Sequence, residues 1–119
     1  MKKEFVVQLA PKLFEAKIKI EKELKEGNKT DEKLYLLILK AIAFLKEERK
    51  GLPISKRLPI YKCFEKEYGV TNLFMIKLTK GARSFYTNVS GGQLKVLQII
   101  LEVEEKHKDY EKKGKRDHR

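Results

Sequence analysis

Cysteine is almost absent from this chain: Cys63 stands alone among 119 residues, which excludes an intramolecular disulfide and any zinc site built on thiolates. That usage reads as cytoplasmic. Histidine is nearly as scarce. His107 and His118, in a C-terminal run of charge, make no cluster of metal ligands, so neither a metal nor another cofactor is expected. No run approaches the ~18 apolar residues of a membrane span, and the apolar stretch before Pro11 is only about five residues long, too short for a signal-peptide core. A membrane partner is not expected. Gln and Asn are few beside Lys and Glu, a balance that resembles proteins of hot environments.

Acidic residues are the minority charge, 17 Asp or Glu against 28 Lys or Arg, leaving a formal +11. On so small a body this surplus favours attraction to nucleic acid. The length supports one core, which excludes a multidomain enzyme or a repeat array. The 41% hydrophobic content, with charges mixed in sign rather than blocked, argues against global disorder.

The periodicity changes along the chain. Residues 5–9 are short, β-branched and bounded by Ala10-Pro11, which predicts an opening strand. From Lys12 the apolar residues Leu13, Ala16, Ile20 and Leu24 recur at helical spacing up to Gly27-Asn28, predicting a helix over 12–26. A second helix is predicted over 31–50, with Leu34, Leu37, Ile38, Ala41, Ile42 and Leu45 inward and a stop at Gly51. Residues 51–69 carry Pro53 and Pro59 and read as a loop with room for one short helix over 60–68. After Gly69 the period becomes two, with Phe74, Ile76 and Leu78 on one face and Leu73, Met75 and Lys77 on the other. Strands over 73–79, 83–89 and 93–103 then form a meander, the last with Leu97, Ile99, Leu101 and Val103 inward.

The expected fold is therefore α+β, in the order β-α-α-β-β-β, with two N-terminal helices packed on one face of a small antiparallel sheet. Residues 1–112 make the single expected domain and 113–119 a basic, mobile tail. Between Lys106 and Arg119 the chain holds seven Lys or Arg against Asp109, Glu111 and Asp117, and Lys106, Lys108, Lys112 and Lys113, with Lys56 in the loop, are the expected RNA contacts.

Four stretches resemble the RelE/ParE toxin superfamily, in its RelE-like branch: Gly51-Leu52-Pro53-Ile54-Ser55-Lys56, Lys66-Glu67-Tyr68-Gly69-Val70-Thr71-Asn72-Leu73, Gly81-Ala82-Arg83-Ser84-Phe85-Tyr86-Thr87 and His107-Lys108-Asp109-Tyr110. They stand in the family's order and at its spacing, and the family fold matches the element order above. The resemblance implies a metal-independent endoribonuclease, a toxin that cuts mRNA at the ribosome and is held inactive by a cognate antitoxin. Attack of a ribose 2′-hydroxyl on its phosphate needs a base, cations for the phosphorane and an acid for the leaving 5′-oxygen. By position the resemblance assigns Lys77 and Arg83 as cations and Tyr110 to the C-terminal tyrosine.

Three departures stand beside it. Met75 occupies the place of a first strand lysine, Glu104 or Glu105 that of a last-strand arginine, and Ala82 that of a tryptophan. His107, with Lys106 and Lys108, would stand in for the missing groups, since imidazole titrates near neutral pH. Each candidate also has a plain role available. Arg83 and Lys77 fit ordinary strand charges, Tyr110 fits rim packing, and a lone His107 fits an inert surface residue. The alternatives left open are a non-catalytic RNA- or protein-binding member of the same fold and a ParE-like gyrase poison.

Overall fold

The computed structural model describes residues 3–105; the expected boundary at 112/113 lies outside them. Strand β1 spans Glu4–Leu9, helix α1 Pro11–Lys25, α2 Glu32–Lys46, β2 Leu52–Pro53, α3 Pro59–Tyr68, β3 Phe74–Lys77, β4 Arg83–Gly92 and β5 Lys95–Glu104. The α+β class holds. No helix among the described residues is long and apolar enough to cross a membrane.

Local chemistry sets the boundaries. Ala10 and Leu58 are extended and each is followed by a proline at the first helical position of α1 and α3, where a missing N–H costs nothing. Gly69 closes α3 with φ 68°, the left-handed conformation that relieves the last carbonyls. Helix α2 ends earlier than its sequence suggests. Glu48, not a glycine, takes the positive φ of 62° there, and the Glu48 N–H donates to the Leu45 carbonyl. The chain then passes into Gly51, where an added Cβ would lie 2.7 Å from the Met75 carbonyl oxygen and 2.8 Å from Tyr86 Cε1. Only a glycine lets the backbone approach this closely.

The sheet order is β1-β5-β4-β3-β2. An all-antiparallel sheet is not what forms. β1 runs parallel to β5, Val7 opposite Gln98, while the remaining pairs are antiparallel. Two-residue periodicity reports which face a side chain takes but not the direction of its neighbour, so the mixed sheet had no signature in the pattern.

The alternating faces of β3 are observed. Ile76 and Leu78 join Ala82, Tyr86 and Ile100 beneath Leu13, Leu37, Ile38, Ala41 and Leu45 of the helix pair. On the opposite face Leu73, Phe85 and Leu101 pack with Tyr61 and Phe64 of α3 and with Val70. The segment read mainly as loop thus supplies a third layer, and its Phe64 ring lies 4.8 Å from that of Phe85. Burying side chains of this size stabilises by about 1.5–3 kcal/mol each.

One expectation for β5 fails. Phe85 pairs with Glu102 but Tyr86 pairs with Ile100, so Leu101 is an extra residue. This bulge breaks the single inward row: Ile99 and Leu101 face α3, whereas Ile100 and Val103 face the helix pair.

Candidate nucleic-acid interface

Lys77, Arg83 and Glu104 are neighbours across β3, β4 and β5: Lys77 stands opposite Arg83, and Arg83 opposite Glu104. By alternation with Met75 and Phe85 the row lies on the α3 face. Two sequence-predicted cations are therefore brought together at one corner of the sheet.

Their environments differ. Lys77 is exposed. Arg83 is only 8% exposed, and its Nη1 donates to the carbonyls of Thr79 at 3.0 Å, Ala82 at 3.1 Å and Lys80 at 3.4 Å. Its Nε is buried without a partner. The same turn is closed by the Ala82 N–H donating to Thr79 Oγ1 at 3.1 Å and the Leu78 N–H to the Ala82 carbonyl at 3.1 Å. Arg83 thus satisfies the carbonyls of the β3–β4 turn while keeping its charge beside Lys77.

The next row on this face is Met75, Phe85 and Glu102. Met75 is half-buried against the α3-side core, so the place of the family's first lysine is filled by packing. The Tyr68 hydroxyl donates to Glu102 Oε2 at 2.7 Å. Burial, followed by this bond to a carboxylate, pushes the Tyr68 phenol far above its usual range, so it stays protonated.

Lys56 is exposed but lies past the Ile54 N–H to Leu73 carbonyl bond, in the direction away from Lys77. The structure does not bring it to the row. His107, Tyr110, Lys106, Lys108, Lys112 and Lys113 lie outside the described residues, which end at Glu105, one residue past the row. Among the described residues no group of three or more His, Cys, Asp or Glu could hold a metal ion.

The motif residues turn out to carry the fold. Gly51 donates its N–H to the Tyr86 hydroxyl oxygen at 2.9 Å, joining two motifs. The Asn72 amide donates to the Asn88 carbonyl and accepts from the Asn88 N–H and the Thr87 hydroxyl, joining another pair. The Tyr68–Glu102 pair escaped sequence reading because it spans the α3 and β5 elements; Glu102, a lone acid among Ile100, Leu101 and Val103, was its only signal. No family model, no curated protein and no solved structure matches the chain.

Proposed function

We propose that the protein is a RelE-like toxin acting on RNA in the cytoplasm: a metal-independent endoribonuclease that cuts mRNA at the ribosome and is restrained by a cognate antitoxin. The observation that carries this reading is the placement of Lys77 and Arg83 as direct cross-strand neighbours on one face, at the corner from which the basic C-terminal segment departs. Two adjacent cations and a net +11 fit a phosphate-bearing substrate. Arg83, pre-set by its turn, stabilises the charge that develops on the phosphorane. Lys77 holds the neighbouring phosphate, and His107 and Tyr110 supply the proton transfers.

The test is RNA cleavage by purified protein with ribosomes present, read as defined 3′ ends on the message. Lys77→Ala is the cleaner variant, because an exposed side chain can be removed without touching the turn; it should slow cutting at least tenfold with unchanged melting. Arg83→Ala should cost ~10²–10³-fold, the scale of losing an oxyanion-hole donor.

A second reading, a non-catalytic RNA-binding member of the same fold, is favoured by one set of observations: Arg83 Nη1 is engaged by three carbonyls, Met75 is a packing residue and Glu104 stands opposite Arg83. It predicts RNA binding with no cut product at any ribosome concentration, and that outcome would replace the first reading.

A further inference from the structure

On the opposite face of the sheet, beneath the chain that leaves α2, lies a cleft of about 710 Å³, within the range of small-molecule sites. Its walls include Tyr86, Asn88 and Gln98, and its rim includes Lys3, Arg49 and Lys50, with Glu48 as the one acid. This is not the face that carries Lys77 and Arg83.

Two side-chain amides here make no hydrogen bond among the described residues. Gln98 is 8% exposed and stands inside an otherwise apolar stretch, Val96-Leu97-Gln98-Ile99-Ile100. No hydrogen bond among the described residues involves its side-chain amide, which therefore offers one donor group and one acceptor to the cleft. Asn88 is its direct cross-strand partner, and Asn88 Oδ1 is buried with no partner at all. A half-turn of that terminal torsion exchanges Oδ1 and Nδ2. The Tyr86 oxygen accepts from the Gly51 N–H, leaving the phenol proton to donate elsewhere. A buried amide oxygen left unsatisfied, as at Asn88, is uncommon and costs free energy that a hydrogen-bonding partner recovers.

Aromatic surface and charge complete the picture. Phe74 stacks on Tyr86 with centroids 5.2 Å apart, both lining the cleft, and the Phe5 ring at its edge is 51% exposed. Arg49 is held across the Phe44 ring, 4.5 Å from its centroid, which fixes one rim cation in place. An amide that both donates and accepts, an exposed ring and a cationic rim match the base edge, base face and phosphate of a nucleotide.

We propose that this cleft binds a nucleotide, with adenine favoured because a side-chain amide pairs bidentately with its N6 and ring nitrogen and the rim lysines and Arg49 take the phosphate. The proposal is independent of the chemistry assigned to the α3 face. A chain that binds a nucleotide here but cuts no RNA keeps it and loses the ribonuclease reading, and the converse result separates them as well.

The test uses the full chain, isotope-labelled, followed by NMR during titration with 5′-AMP, adenosine, inorganic phosphate and an adenine hexanucleotide in separate arms. The expected result is saturable movement of the Asn88 and Gln98 side-chain amide signals with AMP, and binding of AMP about tenfold or more tighter than of either half alone. Gln98→Leu should lower AMP affinity roughly tenfold, the discrimination of one bidentate contact, with Gln98→Met as a second variant should the first not fold. Stronger binding of the hexanucleotide at these signals identifies the nucleotide as part of an RNA strand; movement with AMP and none with the hexanucleotide identifies a free nucleotide. Absence of saturable movement, movement confined to the Lys77 and Arg83 corner, or a folded Gln98 variant that binds AMP like wild type would overturn the proposal.

Discussion

Asn72→Ala should destabilise this domain more than any other single change at a half-exposed polar residue. Strand β3 begins at Phe74, opposite Tyr86, so two residues further along β4 the main-chain groups of Asn88 have no β3 strand beside them. The Asn72 side chain takes that place: Nδ2 donates to the Asn88 carbonyl at 2.9 Å, and Oδ1 accepts from the Asn88 N–H at 2.8 Å. The Thr87 hydroxyl lies 3.0 Å from Oδ1 and 2.8 Å from the Asn72 carbonyl, sharing its one proton between them. Truncation strands a backbone donor and a backbone acceptor at once. Each costs about 1–3 kcal/mol when left unpaired, and because Asn88 is only half-buried, water recovers part of this. The expected loss is about 2–4 kcal/mol. With an m-value near ~2 kcal/mol/M, the urea midpoint followed by circular dichroism should fall by about 1–2 M. Thr87→Val removes only the shared hydroxyl and should cost about 1 kcal/mol. The pair should be non-additive in a double-mutant cycle, since both act through one amide. A loss below about 0.5 kcal/mol for Asn72→Ala would refute the view that this side chain stands in for a strand.

The remaining expectations concern the end of α2, alkaline pH and salt. Glu48→Gly should raise the urea midpoint, by up to about 1 kcal/mol of stability, because it relieves a non-glycine residue at φ 62°, whereas Glu48→Ala should not. Burial raises the phenols of Tyr61, Tyr68 and Tyr86 in the folded state; Glu65 adds to this at Tyr61 and Glu102 at Tyr68, while the Gly51 N–H works against it at Tyr86. The folded chain therefore binds more protons than the unfolded one above pH ~10, so stability is full below that value and falls as pH rises beyond it; absorbance of phenolate should appear together with unfolding, and Tyr68→Phe should flatten the decline. RNA affinity should drop steeply between 50 and 200 mM salt, by the steep power law of a contact that neutralises several phosphates, and a flat response in a filter-binding assay would leave a protein partner as the better reading.

Much of the fold was legible because it rests on periodicity. The helix pair follows from apolar residues such as Leu37, Ile38, Ala41 and Leu45, and the two faces of β3 from strict alternation. What could not be read depends on partners distant in sequence. The parallel pairing of β1 with β5, the bulge at Leu101 and the layer made by α3 all depend on where the chain returns, and a local pattern does not encode that. The candidate site was legible in part for the same reason. Lys77 and Arg83 sit at either side of one short turn, so their proximity follows from the meander. Gln98 was not legible: with Leu97, Ile99 and Leu101 read as the inward row it falls on the outer face, and only the pairing of Asn88 with Gln98, two residues from Tyr86 with Ile100, puts it on the face of the helix pair.

The residues that carry the resemblance are largely those that hold the sheet together, and this bears on what the resemblance can transfer. Gly51 and Tyr86 fasten the segment after α2 to β4, Gly69 ends α3, and Asn72 completes the edge of β4. In this chain these roles are structural and do not depend on cutting RNA, so the presence of these residues speaks for the fold more than for the chemistry. Arg83 belongs to both accounts. Three carbonyls engage its Nη1; on the ribonuclease reading this pre-orders the guanidinium for a phosphate, and on the binding-only reading it occupies the group with the turn. Lys77, exposed on a flexible stem, gives up rotamer freedom when it pairs and contributes charge more than position. The turn is held through the single nitrogen Nη1 while Nε has no partner, so Arg83→Lys, which keeps a charge on a shorter stem, tests whether the reach of the guanidinium to these carbonyls or the charge alone matters at this corner.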